Sequence, residues 1–191
     1  MGWMADGFPS HVGSVGVLLS DGSEPGPVYY DTGSSAFFHE STDWWVYDGT
    51  LNAPRAQQMR ARCACGWRAE SAYLMDWDSV ERGDPDDYDT SDAERDWKAH
   101  VDAVRALTVP LPTEVSDLME QLRQRLDRLV DDAPLAALKA VSGLESIIAL
   151  VAPPAAYFAV RAGDVSWQQI AEGLGTTEDE ARSRLMRYER Q

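Results

Sequence analysis

Two thiols one residue apart are the side chains of this 191-residue chain best suited to hold a metal. They lie in Cys63-Ala-Cys65-Gly-Trp67-Arg68 and are its only cysteines. On a strand, positions i and i+2 share a face, so both thiols point the same way. Two thiolates on one side make half of a tetrahedral zinc site. His100, in Trp97-Lys-Ala-His100, and His39 on an earlier segment are expected to complete it. The same pair fits two other roles, as reduced core cysteines beside Trp67 or as a redox pair. A stable Cys-x-Cys disulfide is disfavoured because it closes a small, strained ring. Structural zinc is the one cofactor these residues suggest.

Other chemistry is hard to place. The three histidines, His11, His39 and His100, are scattered along the chain. No Gly-rich phosphate loop, nucleophile elbow or His-Glu-x-x-His motif occurs, so no enzyme is expected. Asp84, Asp86, Asp87 and Asp89 lack the Gly and closing Glu of a calcium loop at the required offsets. They read as a solvated acidic run.

The C-terminus carries the second motif. Ser166-Trp-Gln-Gln169 reads as a capping box that opens a helix bearing Ile170, Ala171 and Leu174. Gly175 sits where a tight turn needs positive φ. Thr177-Glu-Asp-Glu180 reads as another capping box, opening a helix with Ala181 and Leu185 inside. Two short helices crossed through a turn form a helix-turn-helix.

Residues 167–187 resemble the helix-turn-helix of sigma-factor region 4, in which an IAxxLG helix precedes a V-x-x-R-L-x-R recognition helix. They are also similar to the SWxxIGxxLG domains at the C-termini of actinobacterial regulators. The resemblance covers about 25 residues. It departs from the pattern at Ala181, where Val or Ile is usual, and at the acidic run Glu178, Asp179, Glu180. The resemblance implies contact with double-stranded DNA. Thr177, Glu178, Arg182 and Ser183 would face bases or nearby phosphates, with Arg184, Arg187 and Arg190 nearer the backbone and Gln168 and Gln169 reaching phosphate. The Cys-x-Cys-Gly-Trp segment with its later Trp-x-x-His resembles small cysteine-bearing modules of actinobacterial regulators.

Elements must position these residues. Before about residue 75 the apolar runs are short and β-like: Val15–Leu19, Val28–Tyr30, Trp44–Tyr47 and Met59–Ala64, separated by Gly, Asp, Ser and Pro. Ser91-Asp-Ala-Glu94 reads as a capping box for a helix to about Leu107, with Trp97 and Val101 on one face. Val109-Pro-Leu-Pro112 reads as a stiff linker. Val115, Leu118, Met119, Leu122, Leu126 and Leu129 recur at helical spacing. A further helix fits Pro134 to about Ala152, ended or bent by Pro153-Pro154, with a short one from Ala155 to Ala162.

The fold expected is therefore α+β. A small antiparallel sheet with a packed helix occupies residues 1–107, a linker 108–113, and an all-α helix-turn-helix bundle 114–191. No stretch of continuous apolar sequence approaches a membrane span and no signal peptide is visible, so a cytoplasmic protein is expected.

Charge bears on the partner. The chain has a net charge of −15 at pH 7. That argues against a nucleic-acid binder taken whole. The charge is uneven, however: residues 1–107 carry −11, residues 108–191 carry −4, and the last ten residues carry +3. A DNA-binding transcriptional regulator with an acidic sensing or partner-binding N-terminal domain is the leading expectation. A homodimer is expected with it, since a lone helix-turn-helix usually needs a second copy. The alternative is an acidic protein-interaction module that binds RNA polymerase or a nucleoid protein, mimicking DNA charge, with the helix-turn-helix as a docking fold.

Overall fold

The computed structural model describes residues 2–31, 38–50, 52–81, 85–161 and 165–190. The chain is α+β and forms two compact units, Met1–Ala106 and Leu107–Gln191.

In the first unit, β1 (Gly13–Leu18) pairs antiparallel with β4 (Gln58–Cys63), which pairs antiparallel with β5 (Tyr73–Leu74). A second antiparallel pair is β2 (Val28–Asp31) with β3 (Phe38–Ser41). Alternation in β4 is regular: Met59, Ala61 and Cys63 are buried and the residues between them are half-buried. That period of two is the signature of a strand with one covered face. Trp44–Val46 is a single 3-10 turn, not the strand its aromatic run suggests. Trp44, Val46 and Tyr47 all turn inward there, packing with Val15, Val17, Met59 and Trp77. A turn buries three neighbours at once, which a strand's alternation forbids.

A short helix, α1 (Trp77–Glu81), follows β5. The long helix α2 (Ser91–Leu107) buries Ala93, Trp97 and Val101 against Ala61, Cys63, Ala69 and Phe8. Those positions repeat at i, i+4, i+8, one stripe of an α-helix. Ser91 is its first helical residue rather than its cap. The Ser91 N–H donates to the Asp89 carboxylate, and Glu94 N–H donates to the Thr90 carbonyl. Trp97 also explains Gly13. A Cβ at Gly13 would lie 2.5 Å from the Trp97 indole nitrogen, so the strand and helix approach too closely for any side chain.

The second unit is helical: α3 (Thr113–Asp132), α4 (Pro134–Arg161), α5 (Trp167–Leu174) and α6 (Glu178–Tyr188). The Val109–Pro112 segment is not free, since Val109 N–H donates to the Gly173 carbonyl. α4 corrects the expected break at Pro153-Pro154, because it runs unbroken through both prolines. Each proline withdraws one N–H from the helical ladder, and the two lost bonds are adjacent. The remaining turns on both sides hold the helix together. α4 is thus 28 residues long, and by length and composition it could cross a membrane. That revises the expectation drawn from continuous apolar runs. Its uncharged run, Ser146 to Val160, is 15 residues. Fifteen residues rise about 22 Å, short of the roughly 30 Å of a hydrocarbon core.

α3 buries no residue, and α4 buries only Ala137 and Ala156. Burial in this unit is concentrated in α5 and α6 at Ala171, Ala181 and Leu185.

Candidate metal centre

β4 delivers Cys63 as its last residue, and the chain then reverses. Gly66 N–H donates to the Cys63 carbonyl, Cys63 N–H donates to the Trp67 carbonyl, and Gly66 takes a φ of 96°. Only glycine adopts that backbone without strain. The turn therefore aims Cys65 back toward Cys63. Strand alternation does not bring the thiols together, because Cys65 lies beyond the strand.

Two histidines meet them. α2 presents His100 one turn beyond Trp97 and one residue before Val101, the two side chains that fix it to the sheet. Its ring stacks on Trp67, centroids 4.3 Å apart and planes within 7°. The second is His11, 4% exposed. It is held by an N-terminal strap. Trp3 and Gly13 exchange backbone hydrogen bonds, and Ala64 N–H donates to the Val12 carbonyl beside it.

The four ligand atoms of His11, Cys63, Cys65 and His100 lie within 4.8 Å of one another. His11 Nδ1 is 3.2 Å from His100 Nε2, Cys63 Sγ is 3.7 Å from His11 Nδ1, and Cys65 Sγ is 3.4 Å from His100 Nε2. Zinc bonds of about 2.0–2.1 Å to nitrogen and about 2.3 Å to sulfur give tetrahedral edges of about 3.3 Å between nitrogens and about 3.5 Å between nitrogen and sulfur. The observed separations match those edges within a few tenths of an ångström.

Electrostatics suit a cation. Burial, with Cys63 alongside, pushes the Cys65 thiol up to about 11. Burial, and then the neighbouring His11, hold the His100 imidazole below its usual pKa. Both groups thus resist ionising beside each other, and a divalent cation reverses that preference for the thiols. Two thiolates and two neutral imidazoles would balance a charge of +2.

Of the expected ligand set, Cys63, Cys65 and His100 come together. Among the described residues His11 is the fourth donor of the cluster. His39 belongs to β3, and its side chain lies outside the described residues.

The expected DNA-contact residues all lie on α5, α6 and their flanks. Ser166 and Gln169 form the reciprocal capping box, so Gln169 is committed to the helix start. Gln168 donates to Glu172. Gly175 takes φ 63° and closes α5. Thr177 caps α6 by accepting from Glu180 N–H, while the Glu180 carboxylate turns to Arg184 at 3.3 Å. Arg182 pairs with Glu178 at 3.6 Å and lies over the Trp167 ring at 4.8 Å. Arg187 lies near the Tyr188 ring, and Arg190 Nε donates to the Met186 carbonyl. Glu178, Ser183 and Arg187 are exposed.

Comparison of the chain with protein-family models, with curated proteins and with solved structures finds no match.

Proposed function

We propose that the N-terminal unit is a zinc module whose Zn(II) is bound by His11, Cys63, Cys65 and His100. The observation that carries this is the convergence of four N and S donors within 4.8 Å, three of their separations close to tetrahedral edges. They come from three separate parts of the chain: an N-terminal strap, the end of β4 with the turn after it, and α2. The set is closed, with four protein ligands and no position left for substrate, which is the pattern of a structural ion. The ion would tie strap, sheet and helix together. Purified protein is expected to carry one zinc per chain, and Cys63→Ser, Cys65→Ser protein none. Equal zinc in both would refute the site.

In the whole protein, this module would accompany a DNA-binding element formed by α5 and α6. Supporting that reading are the two capped helices, the left-handed glycine between them, and arginines 182, 184, 187 and 190 on the last helix. Binding is expected to weaken with salt on a shallow slope, since few cations are available. Selection from genomic fragments in low salt, beside Arg182→Ala, Arg187→Ala protein, tests it. Failure of wild type to retain any fragment would refute DNA contact.

A second reading has its own observation. The first turn of α6 carries Glu178, Asp179 and Glu180, and two of these acids engage Arg182 and Arg184. A helix start so charged suits a basic protein surface better than phosphate. Capture of RNA polymerase or a nucleoid protein by DNA-free protein, abolished by Glu178→Lys, Asp179→Lys, would establish it.

A further inference from the structure

Among the described residues, the α3–α4 hairpin leaves most of its apolar side chains uncovered. Five large apolar residues of α3 are exposed: Val115, Leu118, Met119, Leu122 and Val130. Ten more are exposed on α4, from Leu135 to Val160. Soluble monomers rarely show contiguous apolar patches above a few hundred Å². Two helices alone cannot bury their own stripes, and four-helix arrangements are the usual solution.

The charges flanking the α3 stripe say what covers it. On one flank Arg123 already bonds Glu120 and Asp127 within the helix. The other flank carries Glu114 first, then Arg125 and Arg128, with Asp132 at the helix end. None of these four has an ion pair within the chain among the described residues. Between Glu114 and Arg128 that flank changes sign, so this stretch is complementary to itself read backwards.

We propose that α3 pairs antiparallel with α3 of a second copy of this chain, joining two α3–α4 hairpins as a four-helix bundle. Placing Val115 opposite the partner's Leu126 also places Met119 opposite the partner's Leu122. In that register Glu114 runs alongside the partner's Arg125 and Arg128, Asp132 falls beyond the start of the partner's α3, and the same contacts recur by two-fold symmetry. The apolar layers and the charge pairs are thus satisfied by one alignment. Neither zinc nor DNA enters the argument.

The test uses full-length protein and two charge-reversed variants, Arg125→Glu/Arg128→Glu and Glu114→Arg. Sedimentation should give wild type at twice the 21.1 kDa chain mass. Each variant alone sets like charges opposite each other and should self-associate about tenfold or more weakly. An equal mixture of the two restores every pair and should regain the wild-type association. That rescue excludes misfolding as the cause of the loss. A monomeric wild type, variants that dimerise as well as wild type, or a mixture that stays apart would each overturn the proposal. So would wild type that floats with phosphatidylcholine vesicles, since lipid would then be the cover.

Discussion

At the residue scale, the claim rests on four donors and the groups that hold them. Gly13 is the sharpest test of that support. Gly13→Ala drives a methyl into the Trp97 indole, so strand or helix must move. Overpacking of this kind costs about 1–3 kcal/mol. Because α2 also carries His100, the variant is expected to lose zinc affinity together with stability, seen by competition with a chelating dye and by urea titration. Loss of stability with unchanged affinity would separate helix position from the site. The cysteine pair and His100 are legible in the sequence because two thiols one residue apart and a histidine on the later capped helix stand out, although the same pair also fits core or redox roles. His11 is not. It lies 52 residues before Cys63, in a segment with no periodicity, and only the Trp3–Gly13 bridge and the Val12–Ala64 bond bring it in.

At the element scale, local signals were readable wherever one residue governs the backbone. Ser166, Gly175 and Thr177 occupy the caps their types require. Gly175→Ala should destabilise the α5–α6 pair by about 1 kcal/mol, since alanine must enter the left-handed region. Ser166→Ala should cost a similar amount, about 1 kcal/mol, by orphaning the Gln169 N–H. Helix content followed against temperature measures both. Local signals mislead where packing decides. The Trp44–Tyr47 run has the composition of a strand but turns to bury three side chains together. Pro153-Pro154 looks like a terminator, yet α4 keeps enough bonds on either side to continue. The Cys63–Cys65 reversal needed Gly66, whose positive φ is invisible until the strand end is known.

At the scale of the whole molecule, the two units should respond differently to metal removal. Six of the seven tryptophans lie in Met1–Ala106, so indole fluorescence reports the first unit, while most helix lies in the second. Chelation is expected to shift the tryptophan emission to the red while most helical circular dichroism persists. Joint loss of both signals would mean that the ion is not confined to the first unit's stability. The net charge of −15 also takes on a different meaning at this scale, because most of it belongs to the first unit. The decisive property of the first unit is which atoms would surround a bound ion. X-ray absorption at the zinc edge of the purified protein measures them directly. Two sulfurs at about 2.3 Å and two imidazole nitrogens at about 2.0–2.1 Å are expected, at one zinc per chain. Folded protein without zinc, or a shell of oxygen and nitrogen alone, would contradict it.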